Sequence, residues 1–129
     1  MNLNQLTVPS HNLSVAVAFY QRLGLRLIVD AQPRYARFEC PGGDATFSLH
    51  HAEELPTGHG IWIYFECADL DERVSQLQAA GLTFDALPTD QPWLWREARL
   101  KDPDGNPLIL YYAGKNRKNP PWRVTEAKN

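Results

Sequence analysis

The sequence predicts an α+β fold built from two consecutive βαβββ modules. Three observations predict it. The two halves repeat each other weakly, each half carries one amphipathic helix with its own start and stop residues, and the remaining runs are short, β-rich and bounded by turn residues. In the repeat, Gln5, Val8, Asn12, Leu13, Gly24 and Leu27 correspond to Trp62, Phe65, Asp69, Leu70, Gly81 and Phe84. Few residues are identical, but their structural roles match.

Taken in order, each half opens with a β-rich run, Leu3 to Val8 and Ile61 to Cys67. A helix N-cap follows, Asn12 in one half and Asp69 in the other, residue types whose side chains accept from the free N–H groups of the first turn. The first helix places Leu13, Ala16, Val17, Tyr20 and Leu23 on one face, and the second places Leu70, Val74 and Leu77. Both stop at a glycine suited to the left-handed position past a helix end, Gly24 and Gly81. Three strands follow in each half. In the first they are Arg26 to Val29, Tyr35 to Cys40 and Ala45 to His50, the last two joined by Pro41-Gly42-Gly43-Asp44. In the second they are Thr83 to Ala86, Trp95 to Lys101 and Leu108 to Tyr112, the last two joined by Asp102-Pro103-Asp104-Gly105-Asn106. Pro suits the second position of a type I turn, and Gly supplies positive φ. The predicted organisation is one domain over residues 1–114, with module one at 1–52, a hinge rich in Pro, Gly and Glu at 53–60, and module two at 61–114. A basic tail with two prolines, 115–129, completes the chain, and its Trp122 points to partial docking.

The 129 residues suffice for one core, and the net charge of −2 argues against nucleic acid as a partner. No apolar run reaches bilayer length and no signal peptide is visible, so a cytoplasmic protein without a membrane partner is expected. Cys40 and Cys67, far apart in apolar stretches, read as a reduced pair. There is no nucleophile elbow, phosphate loop or dinucleotide fingerprint. Three of the four tryptophans, Trp62, Trp93 and Trp95, lie in the second half, where they could form an aromatic surface.

Two βαβββ modules in succession resemble the vicinal oxygen chelate superfamily, which includes glyoxalase I, extradiol dioxygenases, and fosfomycin- and bleomycin-resistance proteins. The stretches LTVPSHNLSVAVAFYQRLGL, YARFECPGGDATFSL, YFECADLDERVSQLQAAGL and QPWLWREARLKDPDGNPLIL carry the resemblance. It implies curved mixed sheets around a cleft, helices on the outer faces, and a homodimer. It also implies four metal-ligand positions, on the first and last strand of each module. Carried over, these fall on Gln5, Ser48, Trp62 and Ile109. Only Gln5 has a precedent as a ligand in the family, while Trp and Ile cannot coordinate a divalent cation. The expected cofactor is therefore none and the expected metal-ligand set is empty.

Strand parity within this fold gives an expected cleft lining of Gln5, Thr7, Ser48, His50, Trp62, Tyr64, Glu66, Ile109 and Tyr111, with Arg37, Trp93 and Arg96 as additions. A mid-strand carboxylate such as Glu66 must be paired or hydrated, with Arg37 or Arg96 as the expected partner. An apolar, aromatic lining with a few polar groups is the usual build of a small-molecule site. The resemblance then implies a metal-independent binding protein of the bleomycin-resistance type, sequestering a planar aromatic or cationic compound, rather than an enzyme. The alternative is a lyase, isomerase or dioxygenase with an atypical divalent-metal site built from His50, Gln5 and Glu66. A third reading is a scaffold whose cleft is filled by its own side chains. The remaining histidines, His11, His51 and His59, read as rim or solvated residues.

Overall fold

The structure, a computed structural model, describes residues 1–58 and 60–125. His59 and residues 126–129 lie outside the described residues. The order of elements is β1 (Gln5–Ser10), α1 (Leu13–Leu23), β2 (Arg26–Ala31), β3 (Tyr35–Glu39), β4 (Thr46–His51), β5 (Ile63–Glu66), α2 (Leu70–Ala79), β6 (Ala86–Asp90), β7 (Arg96–Lys101) and β8 (Pro107–Tyr112), followed by a 3-10 turn, Gly114–Asn116. This is βαβββ twice. The strands form two four-stranded sheets, ordered β1-β4-β3-β2 and β5-β8-β7-β6. Each is mixed, because its first strand pairs in parallel with its last.

Two compact units result. The first comprises Met1–Trp62 together with Lys101–Pro107, and the second Ile63–Leu100 together with the chain from Leu108 onward. In the first unit, α1 begins at Asn12, whose side chain accepts from Val15 N–H, and ends at Gly24 with φ 116°, a conformation cheap only for glycine. Its apolar stripe buries Tyr20 against Phe38 and Phe47, with ring centroids 5.9 and 4.5 Å away. Ala36 and Phe38 on β3 and Phe47 and Leu49 on β4 complete that core. Burying each large side chain contributes roughly 1.5–3 kcal/mol. The Asp102–Asn106 turn belongs to this unit and is held by one side chain. Asp102 Oδ1 accepts from the backbone N–H of Asp104 and Asn106, both at 2.9 Å. Its Oδ2 accepts from Asn106 Nδ2 at 2.7 Å and from the Tyr20 hydroxyl at 2.5 Å.

In the second unit, α2 packs Leu70, Val74 and Leu77 against a sheet face that buries Ala98, Leu100, Leu108 and Leu110. Asp69 stands at the N-cap but makes no side-chain cap bond, while Asp71 and Glu72 place negative charge in the first turn, where it favours the helix start. The strand expected at Thr83 to Ala86 lies at Ala86–Asp90 instead. It contains Pro88, which is tolerated because β6 is the sheet's edge, where a residue without an N–H breaks no ladder. A register shift between Ala86 and Thr89 accommodates it.

The β6–β7 connection carries a non-glycine residue at positive φ, Leu94 at 66°. An L residue there costs about 1–2 kcal/mol, and glycine's extra freedom in the unfolded chain returns about half of that. Leu94→Gly is therefore expected to raise stability by about 0.5–1 kcal/mol, read as a higher urea midpoint at unchanged slope. A lower midpoint would show that the half-exposed leucine side chain outweighs the strain.

Candidate functional site

Each unit turns a second sheet face away from its helix, and the sequence-predicted residues divide between these two faces. On the first sheet the register pairs Thr7 with Ser48, Gln5 with Thr46, Arg37 with Ser48, and Tyr35 with His50. Directly paired residues share a face. Gln5, Thr7, Ser48 and His50 therefore lie together as parity predicted, joined by Tyr35 and Arg37. Ser48 is fully buried, at 0 % exposure. Its Oγ receives Gln5 Nε2 at 2.7 Å and meets the Tyr35 hydroxyl at 2.7 Å. Arg37 Nε donates to that same Tyr35 oxygen at 2.9 Å. Partial burial pushes the Tyr35 pKa up, but the hydrogen bonds to Ser48 and Arg37 and the charge of Arg37 outweigh it, so the phenol sits below its usual range.

On the second sheet, Tyr64 pairs with Ile109 and Glu66 with Tyr111, so these four also share a face. Trp62 precedes the strand and is 44 % exposed. Trp95 is the tryptophan that lies over Tyr111. Its ring stacks on Tyr111 with centroids 4.6 Å apart and planes 17° apart. Tyr64 stands edge-on to both rings, at 6.0 Å from Trp95 and 5.6 Å from Tyr111. Ile109, Tyr111 and Ala113 are buried in this cluster, with Trp95 half-buried over it. Tyr64 remains 43 % exposed. Burial, then the charge of Glu66, raises the Tyr111 phenol's pKa, so its hydroxyl stays neutral.

Glu66 does not pair with Arg37 or Arg96 as expected. Its Oε2 accepts from the backbone N–H of Ala113 and Gly114, both at 2.9 Å, and Arg117 approaches Oε1 at 3.7 Å. The beginning of the basic tail thus answers this carboxylate, and Trp95 Nε1 donates to Asn116 O at 3.4 Å beside it. Farther along, Trp122 is exposed. Arg96 lies on the other side of β7, bridging Asp71 of α2 and Asp90 of β6 at 2.8 and 3.0 Å. Trp93 turns its indole N–H to Glu97 Oε2 at 2.7 Å.

Sequence reasoning missed Glu97, Arg99, Tyr35 and the leading role of Trp95. Glu97 is a carboxylate only 2 % exposed, answered by Trp93 and by Arg99 at 3.2 Å. Strand parity places Trp95, Glu97 and Arg99 on one face and Ala98 and Leu100 on the other, a signal available in the sequence. Among the described histidines, His50 lies apart from the other two. His50 is exposed on the polar face, while His11 and His51 line a cavity of about 280 Å³ beside the start of α1.

The donor set can be tested against a metal position by position. The Gln5 amide oxygen, the atom a cation would require, accepts from the Thr46 hydroxyl. Ser48 Oγ is already engaged by two partners. Trp62 and Ile109 offer no ligand atom. Among the described residues no group of three or more His, Cys, Asp or Glu side chains is placed to hold a metal ion. The residues present do not fit the superfamily's divalent metal. The thiols of Cys40 and Cys67 are free and raised in pKa, each chiefly by burial, which leaves little thiolate at neutral pH.

The family model for the Glyoxalase/Bleomycin resistance protein/Dioxygenase superfamily matches residues 2–110. The chain belongs to this superfamily. Solved structures agree with the glyoxalase-superfamily fold. A glyoxalase/bleomycin resistance protein/dioxygenase from Nocardioides is 24 % identical, covers 97 % of this chain and 90 % of its own, and superposes with a TM-score of 0.78. Lactoylglutathione lyase from Agrobacterium tumefaciens is 17 % identical over 95 % of this chain and 97 % of its own, with a TM-score of 0.73. A bleomycin-binding protein complexed with bleomycin is 23 % identical over 87 % of this chain and 98 % of its own, with a TM-score of 0.71. No curated protein matches this superfamily member in sequence. Among its described residues no helix is long and apolar enough to cross a membrane.

Proposed function

We propose that this glyoxalase-superfamily chain is a metal-independent small-molecule-binding protein that holds a planar aromatic compound against Trp95 and Tyr64. The observation that carries the reading is the Trp95–Tyr111 stack with Tyr64 edge-on to it. Tyr111 and Ile109 lock Trp95 from below, so its ring is set before a ligand arrives and little side-chain entropy is lost on binding. Offset or edge-on contact with a flat ring contributes about 0.5–1.5 kcal/mol per aromatic beyond the area buried. The bleomycin complex supports the same reading by showing that a relative of this fold binds a small molecule. A cationic ligand is less favoured than a neutral planar one, because backbone N–H groups and Arg117 already answer Glu66. The replaced ligand positions support binding without metal. A homodimer, the usual state of two-module relatives, is proposed with it.

The test is a titration of flat heterocycles and glycopeptide antibiotics followed by tryptophan emission, in the wild type and in Trp95→Phe. Saturable quenching that is lost or halved in Trp95→Phe is expected. Absence of any saturable change across the panel, or an identical change in Trp95→Phe, would overturn the reading.

A further inference from the structure

The polar face of the first sheet has more hydrogen-bond donors than acceptors. Gln5 Nε2 donates to Ser48 Oγ, and Arg37 Nε donates to the Tyr35 oxygen. One link joins the two hydroxyls, and either can be its donor. Two hydroxyl protons therefore compete for one link. Whichever residue donates, the other hydroxyl keeps a proton with no acceptor in contact among the described residues. When the leftover proton is Ser48's, bulk water is not at hand to take it, because Ser48 is fully buried; when it is Tyr35's, it sits on a half-buried hydroxyl that an incoming anion can reach.

Arg37 adds to the surplus. It stands in the middle of β3, between β2 and β4, with its guanidinium 5.4 Å from the Tyr35 ring centroid. Its Nε is spent on Tyr35, which fixes the plane of the group. Both Nη groups stay open as a fork, and among the described residues no carboxylate lies within ion-pair distance. A rigid guanidinium fork beside an unspent hydroxyl donor is matched by the two oxygens of a carboxylate or phosphate.

We propose that Arg37, with Tyr35 and Ser48, forms an oxyanion site that takes the carboxylate or phosphate of a small organic molecule. Gln5 is a positioning residue: its amide holds Ser48, and its own oxygen is occupied by Thr46. The inference uses first-sheet residues alone and does not depend on the aromatic face of the second.

The experiment follows the Arg Nε–Hε resonances of isotope-labelled protein during titration with benzoate, phenyl phosphate, inorganic phosphate and the neutral isostere benzamide. Benzoate or phenyl phosphate is expected to shift the Arg37 resonance saturably, with benzamide at least tenfold weaker. Inorganic phosphate binding as tightly as phenyl phosphate would identify the free ion as the ligand of the same site. Arg37→Gln, whose affinity is read by calorimetry because the substitution removes the reporting resonance, is expected to weaken anion binding at least tenfold. Arg37→Lys, which keeps the charge and loses the fork, is expected to fall between, and it guards against a folding defect in the glutamine variant. The proposal is overturned if no anion gives a saturable shift, if benzamide binds as tightly as benzoate, or if both variants retain wild-type affinity.

Discussion

Asp102→Ala is expected to cost about 3–5 kcal/mol of stability. The carboxylate is 4 % exposed and accepts four hydrogen bonds, two from backbone N–H groups of its own turn, one from Asn106 Nδ2 and one from Tyr20. Alanine leaves those donors in a site that water cannot readily refill. Each unmet buried donor costs about 1–3 kcal/mol, and relaxation of the turn recovers part of it. Tyr20→Phe removes one donor and leaves Asp102 three others, so a smaller loss of about 1.5–3 kcal/mol is expected. Burial, and after it the charge of Asp102, pushes the Tyr20 pKa far up, so the phenol remains a donor at every ordinary pH. The sign follows from the raised folded value. This contribution is complete below the unfolded phenol's pKa of about 10 and is lost as pH rises above it. Urea denaturation of the three proteins at neutral pH checks the order. Equal midpoints for Asp102→Ala and Tyr20→Phe would mean that the turn's own bonds contribute little.

How much of this was readable in advance depends on the range of each interaction. The Asp-Pro-Asp-Gly-Asn turn was legible because Asp, Pro and Gly act on backbone within a few residues. That Asp102 also anchors Tyr20 was not, since the partner lies 82 positions away. Asn12 and Gly24 bound α1 as expected, again through local chemistry. Parity put Gln5, Thr7, Ser48 and His50 on one face, and Tyr64, Glu66, Ile109 and Tyr111 on another, because alternation has no freedom once a strand is set. Glu66 went astray for the opposite reason. It is met by backbone N–H groups of Ala113 and Gly114, which no side-chain pattern advertises. Trp62 and Trp95 each stand one residue before a strand, β5 and β7, where strand alternation no longer dictates the side chain's direction, and it is Trp95 whose ring stacks on Tyr111.

Trp95→Ala separates the two things this ring does. As structure, the indole roofs Tyr111 and Ile109, and Tyr111 is only 6 % exposed beneath it. Truncating a fully buried aromatic costs about 3–5 kcal/mol, and a half-buried one less, so a loss of about 2–3 kcal/mol is expected. As a binding surface, the ring offers a stacking plane that alanine cannot replace. Losing about 1.4 kcal/mol of stacking and buried area corresponds to a tenfold weaker ligand, and at least that loss is expected for a flat heterocycle. Trp95→Phe keeps a ring over Tyr111 and isolates the second effect, with most of the stability retained and affinity reduced only a few-fold. Tyr64→Ala removes an exposed edge-on ring and is expected to weaken binding less than Trp95→Ala, with little change in folding. Affinity by calorimetry and stability by urea titration on the same samples distinguish the roles. If Trp95→Ala stays folded and binds like the wild type, the cluster is a second core and nothing more, and the ligand must be sought on another surface of the chain.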